Sequence, residues 1–436
     1  MKVLKILLIS FVVVLPSFAK AQEVDPETLL QKIYRAQKDL EEIEINFRIQ
    51  TSSCPLRRKV KGQIQTIKIK CELVSQREIA LRAEDFETGA PHTIYLSVPH
   101  PLPAQFTFSV LTPDYKVEHV SGRTVSKLVF RALYQQKKLV VLAGKHFWVP
   151  PELAKSRSRE LLKERSLEAI YTPFAEDLYD EGAYLEGARF LISKVQSSQA
   201  GLAERQVVSR ALRKLLAEAM PWEYILNLGL NEQMDHSKFK ADPARTAKEV
   251  LMEYAFNRDN AFRWSVSSAN ARGAYQFTNK NRRGRAGTYN AVVTNYEDAK
   301  LIEDFEEGTQ NLSNIIKMAI CLLDMELAKF PLDARELFEK DYRKAAIYQS
   351  ACYNGGCGVG FALYRWIKKN KYEINLDDFN PPIQAFTYYK RVRLKTGKYA
   401  FRKIVSAETR TYIQKQMYLW SFIDELKKEL QKEQLK

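Results

Sequence analysis

The chain has 436 residues, 45% hydrophobic and 28% charged, with a formal net charge of +16. That balance excludes a long disordered or low-complexity polymer and leaves enough chain for two or three domains with a real core. A basic chain suits an anionic partner, but its lysines and arginines are spread along the sequence, so charge alone selects none.

Residues 1–21 read as a secretory signal. Lys2 and Lys5 form a basic start, Leu7 to Leu15 is apolar apart from Ser10, and Ala19-Lys20-Ala21 fits a small-x-small cleavage site before Gln22. The alternative is an uncleaved anchor, but the run is shorter than the ~20 residues a spanning helix needs. Removing the leader takes three lysines and no acids, so +16 becomes +13. Export to the periplasm or cell envelope is the expectation, and it permits disulfides. Cys54 and Cys71 could pair, as could Cys352 and Cys357, and the odd total of five leaves at least one thiol free. The five histidines show no zinc-ligand spacing, so no metal site is expected.

Residues 26–42 predict an amphipathic helix with Leu29, Ile33 and Leu40 on one side. From Ile43 to Val149 alternating stretches such as GQIQTIKIKCELV, HTIYLSV and KLVVLAG predict strands separated by Pro and Gly clusters. Pro150-Pro151 and the charged KSRSRELLKER mark a boundary. Beyond it helical periodicity dominates, most clearly at 206–218, 222–233, 244–256, 309–330 and 336–350. The expectation is an α+β chain, with a smaller mixed α/β domain at 22–165 ahead of a mostly helical domain at 166–436.

Three segments of the second half carry chemistry. They are Ser265-Val-Ser-Ser-Ala-Asn-Ala-Arg-Gly-Ala-Tyr-Gln-Phe277, Ala351-Cys-Tyr-Asn-Gly-Gly-Cys-Gly358 and Glu408-Thr-Arg-Thr-Tyr412. Small residues (Ser267, Ala269, Ala271, Gly273) let backbone approach a ligand closely. Gln276 offers a donor and an acceptor, and Tyr353 and Asn354 stand beside a glycine turn. In this order the segments resemble the lysozyme-like lytic transglycosylases, especially the membrane-bound lytic transglycosylase D type. That family shows A-x-S-x-A-G-A-x-G-x-x-Q-F, A-Y-N-A-G-x-G and E-T-x-x-Y. The resemblance spans roughly residues 205–420. It implies a lysozyme-like catalytic domain acting on peptidoglycan glycan strands without a cofactor, with Ser267, Gln276, Tyr353, Asn354 and Tyr412 binding substrate or contacting the catalytic acid.

The family places its catalytic glutamate in E-S-x-x-N-P, 15 residues before the glycine matched here by Gly273. That position is Arg258, so an insertion lies between. Glu232 ends a helix opened by Pro221 and continues the stripe of Ile225 and Leu228. Desolvation there would raise its pKa and keep it an acid. Glu253, spelled E-x-x-F-N with Phe256 and Asn257, is the other candidate and is expected to be a more solvated helix charge. Glu232 is preferred, although Gln233 or Tyr254 stands where the family has serine.

By resemblance, one glutamate would protonate the bond between N-acetylmuramic acid and N-acetylglucosamine. It would then deprotonate the muramyl 6-hydroxyl, closing a 1,6-anhydro ring. A hydrolytic muramidase and a catalytically inactive peptidoglycan-binding protein are the alternatives. Lys280, Arg282, Arg283 and Arg285 could line a groove for anionic stem peptides or form a solvated loop. The N-terminal domain could dock a cell-envelope protein. Neither nucleic acid binding nor a stable transmembrane anchor is expected.

Overall fold

In the computed structural model, residues 27–60, 63–101, 106–150, 153, 159–280, 286–393 and 399–434 are described. The expected leader and Arg282, Arg283 and Arg285 lie outside the described residues. The chain is α+β. Its first part runs α1 (Leu29–Glu41), β1 (Phe47–Val60), β2 (Gln63–Glu84), β3 (Pro91–Pro99), β4 (Ser109–Val110), β5 (Tyr115–Ser121), β6 (Val129–Tyr134), β7 (Lys137–Trp148), α2 (Arg159–Arg165) and β8 (Leu167–Tyr171). Helices follow: α3 (Glu181–Glu204), α4 (Leu216–Ala219), α5 (Trp222–Gln233), α6 (His236–Ala241), α7 (Pro243–Asn257), α8 (Thr288–Asn295), α9 (Phe305–Gln310), α10 (Leu312–Leu327), α11 (Leu332–Lys340), α12 (Tyr342–Gly355) and α13 (Cys357–Asn370). A hairpin of β9 (Thr387–Arg393) and β10 (Tyr399–Val405) interrupts them before α14 (Ala407–Gln434).

The first eight strands form one antiparallel sheet, ordered β4-β3-β2-β7-β6-β5, with β1 on β2 and β8 on β7. Alternation along β2 divides its side chains between two faces. Ile79, Leu81 and Ala83 pack with Ile94, Leu96, Val98 and Phe130. Ala80 points the other way, into the main core shared with α1 and the helices. The sheet is therefore apolar on both faces where β2 is central, which explains the dense Ile-Ala-Leu-Arg-Ala stretch. A capping box of Thr28 and Gln31 starts α1, and Ile33, Ala36 and Leu40 are its buried face. The Tyr34 hydroxyl donates to the Ala255 carbonyl at 2.6 Å, fastening α1 to α7.

Three expectations need correction. The sheet extends past residue 165, because β8 pairs with β7 from Gly144↔Tyr171 to Trp148↔Leu167. Residues 206–218 form a tight loop, with helix only from Leu216. The buried Asp324 carboxylate overrides the local periodicity there: it accepts from the Ser209 hydroxyl (2.5 Å), the Arg210 amide (2.6 Å), the Ala211 amide (3.3 Å) and Tyr296 (2.7 Å). Cys352 and Cys357 are thiols, not a disulfide, and so is buried Cys321. Cys352 lies in α12 and Cys357 opens α13, with Gly356 between them at φ +78° making the turn.

Cys54 and Cys71 do form a disulfide between β1 and β2. Its sequence separation is 17 residues. The reduced protein should lose about 2–3 kcal/mol against denaturant, mostly through the freed unfolded chain. Equal unfolding midpoints for the oxidised and reduced forms would refute this.

Candidate active site

The Glu232 carboxyl sits at the end of α5. The helix is buried on every side from Tyr224 to Asn231, not along one stripe, and its final turn opens onto a cavity of about 520 Å³. Glu232, Ser267, Gln276, Tyr353, Asn354 and Tyr412 all line this cavity. Four separate stretches, the end of α5, the loop at 265–277, the end of α12 and the start of α14, thus converge on one space.

Each stretch is fixed by its own bonds. In the loop, backbone bonds join Arg272 and Phe277 in both directions at 2.9 and 3.1 Å. The Ser267 hydroxyl accepts from the amides of Ala269 (3.2 Å) and Ala271 (3.0 Å), so it shapes the loop. Gly273 adopts φ +74°, and a Cβ there would lie 2.4 Å from the Thr309 carbonyl oxygen. The Gln276 amide nitrogen donates to the Gly273 carbonyl (2.8 Å) and Ser265 Oγ (3.2 Å), leaving its own carbonyl oxygen to turn toward a ligand. The Tyr353 hydroxyl donates to the Tyr275 carbonyl. Asn354 Oδ1 accepts from the Thr409 hydroxyl at 2.8 Å, which locks α12 to the first turn of α14.

Burial raises the Glu232 pKa to about 7, opposed by the Tyr412 hydroxyl, which donates to Oε1, and by the nearby Lys415 charge. Lys415 is 3% exposed and lies one helical turn beyond Tyr412. Its ammonium donates to the carbonyls of Asn231 (2.6 Å) and Met234 (2.9 Å), capping the end of α5, and burial lowers its own pKa to about 8. An acid at the end of a buried helix, with a hydroxyl on one oxygen and a cation behind it, can give up a proton and later take one back. Tyr412→Phe removes a bond that favours the carboxylate. The alkaline limb of a pH–activity profile should therefore move upward and the maximal rate should fall about tenfold. An unmoved limb would mean that Glu232 does not set it.

Glu253 stands elsewhere and differs from expectation. It is not a solvated charge: its carboxyl accepts from the Tyr171 hydroxyl (2.9 Å) and the Phe174 amide (3.4 Å), and burial raises its pKa to about 7. A raised pKa therefore does not distinguish the two glutamates; position does. Glu253 faces an adjoining cavity of about 240 Å³, which shares Lys127, Gln233 and Asp235 with the first but is lined by none of the three motif segments. Its bonds to the chain after β8 join α7 to the sheet.

Several contributors were not singled out in the sequence. Gln233, standing where serine was expected, donates to the Ala274 carbonyl at 2.7 Å and so ties the acid-bearing helix to the glycine loop. Trp148 of β7 packs on Trp264 with ring centroids 5.3 Å apart, and the Arg272 guanidinium lies 5.7 Å over the Trp148 ring. The sheet thus props the loop from behind. Lys127, in the short 3-10 turn between β5 and β6, brings a cation to the cavity, and Asp235 and Glu408 add two further carboxyl groups to its lining. The Asp235 pKa is lowered by its bonds to Ser237 and Lys238, which cap α6. Lys280 does not line the cavity. Among the described residues, no three His, Cys, Asp or Glu side chains gather to hold a metal, and no helix is long and apolar enough to cross a membrane.

A larger cavity of about 790 Å³ lies against the sheet, lined by residues such as Phe47, Arg77 and Phe147, and holds none of the motif residues. No protein family, curated protein or solved structure matches this chain.

Proposed function

We propose that the protein is a lytic transglycosylase of the cell envelope, with a lysozyme-like domain that cleaves peptidoglycan between N-acetylmuramic acid and N-acetylglucosamine. The observation that carries this reading is the convergence of Glu232 with all three motif segments on one cavity. Glu232, whose pKa burial raises to about 7 so that a large fraction carries its proton near neutral pH, donates to the glycosidic oxygen. The substrate's 2-acetamido oxygen assists at C1, a role that reduces the need for a protein nucleophile. The carboxylate so formed, bonded to Tyr412 and near the Lys415 charge, then takes the proton of the muramyl 6-hydroxyl as that oxygen closes on C1. In this reading the Gln276 carbonyl oxygen and the Tyr353–Asn354 turn, which line the cavity, meet the acetamido group and the flanking sugar. No cofactor takes part in these steps.

Asp235 and Glu408 favour a second reading. A second carboxyl in the cavity could activate water in place of the 6-hydroxyl and make the protein a hydrolytic muramidase. Both readings predict release of soluble fragments from purified sacculi by the exported form. A protein that binds sacculi firmly and releases nothing would instead be a binding protein.

A further inference from the structure

The β9–β10 hairpin carries an unpartnered face unlike the rest of the surface. Its register pairs Phe401 with Arg391, Lys403 with Tyr389 and Val405 with Thr387, so these side chains share one face with Tyr399. Phe401 is 73% exposed, Tyr389 65% and Tyr399 58%, and Val405 is also exposed. The Arg391 guanidinium lies 4.1 Å over the Tyr399 ring. Arg391 and Lys403 on this face are exposed, as are Lys390 and Arg402 on the other, and none of the four forms an ion pair among the described residues. From Thr387 to Val405 the sequence contains no Asp, Glu, Asn, Gln or Ser. The opposite face is anchored by Tyr388, whose ring packs against Gly358 of α13.

We propose that this outer face docks on a bilayer containing anionic phospholipid. Aromatic rings and a valine can enter the headgroup region while lysines and arginines meet lipid phosphates, the pairing of features that interfacial segments use. Carboxylates and amides, which accept from sugar hydroxyls, are absent from this stretch of the sequence, so a glycan strand is the poorer fit. The hairpin base is also coupled to the cavity. Ser406 directly follows β10, its hydroxyl lies 2.6 Å from Thr409 Oγ1, and Thr409 holds Asn354. Docking would therefore fix the cavity's height and orientation above the membrane. This does not depend on the reaction proposed above.

The test is flotation of residues 22–436 with vesicles of phosphatidylcholine alone or mixed with phosphatidylglycerol. The protein should float with the mixed vesicles, much less with the neutral ones, and high salt should release it. The double variant Tyr399→Ser/Phe401→Ser and the double variant Arg391→Glu/Lys403→Glu should each lower partitioning by about tenfold or more. Lys340→Glu, a charge change elsewhere on the surface, should leave it unchanged. Circular dichroism checks that each variant is folded. Failure to float with mixed vesicles, or equal flotation of wild type and both double variants, overturns the proposal. Sedimentation with purified sacculi that the double variants lose, without any vesicle binding, would assign the face to glycan.

Discussion

Glu232→Gln should abolish fragment release from sacculi, with a fall of about 10³-fold or more, while the protein stays folded and still binds them. General acid catalysis typically contributes 10²–10⁴-fold, and in the proposed mechanism one carboxyl serves both proton transfers. The same substitution should change stability in the opposite sense. The native-state pKa of Glu232 is about 7, above its ordinary 4.5. Ionising the carboxyl is harder in the folded protein, so the wild type loses stability as pH rises from about 4.5 through about 7. Glutamine carries no charge and avoids that loss. At pH 8 the variant should unfold at higher denaturant concentration than the wild type, by an amount of order 1–3 kcal/mol, with the advantage gone near pH 4. A variant that is inactive and less stable at pH 8 would indicate structural damage rather than loss of an acid. The companion Glu253→Gln, which keeps one side-chain oxygen and so one of the bonds from Tyr171 and Phe174, should retain cleavage.

Gly273→Ala should cost about 2–4 kcal/mol and about 10²-fold in cleavage. The φ of +74° disfavours any side chain by roughly 1–2 kcal/mol. A Cβ would also press on the Thr309 carbonyl oxygen at 2.4 Å and Ile315 Cδ1 at 2.6 Å, a clash worth a further 1–3 kcal/mol or so. The loop must shift to relieve this. The Gly273 carbonyl holds Gln276 and the adjacent Ala274 carbonyl holds Gln233, so the shift moves both the cavity wall and the end of α5. Displacements near 1 Å at a reacting centre commonly cost about 10²-fold. Gly356→Ala is the comparison. It shares a positive φ of +78°, but a Cβ there meets nothing within 4 Å, so it should cost only about 1–2 kcal/mol. Equal losses at the two glycines would refute the packing argument at Gly273.

Periodicity located α1, α5, α7 and parts of β2, β3 and β7, because each has either a clear face or clear punctuation. Pro221 marks the start of α5, and Pro91 and Pro99 bound β3. The order of the three motifs was enough to gather the cavity residues. What escaped notice depends on contacts distant in sequence. The loop at 206–215 has helical spacing, yet Asp324, more than a hundred residues away, takes its hydroxyl and amides. The β9–β10 hairpin was hidden in a region expected to be helical, although Tyr-Tyr-Lys-Arg-Val-Arg and Tyr-Ala-Phe-Arg-Lys-Ile-Val are rich in strand-forming residues. Lys415 had a usable signal in its position three residues beyond Tyr412 on one helix. Gln233 and Trp148 had none, since each acts by touching the 265–277 loop or its neighbour from another part of the chain. Glu253 was misjudged because its burial comes from Tyr171 and Phe174, which no local pattern on α7 reports.

In the proposed mechanism Glu232 protonates the glycosidic oxygen and then regains a proton from the muramyl 6-hydroxyl. Mass spectrometry of the muropeptides released from purified sacculi by residues 22–436 tests it most directly, beside Glu232→Gln. Fragments ending in 1,6-anhydromuramic acid, absent from the variant digest, are the predicted result. Reducing ends would contradict the transglycosylase mechanism in favour of hydrolysis, and anhydro ends that persist in the variant would contradict the role of Glu232.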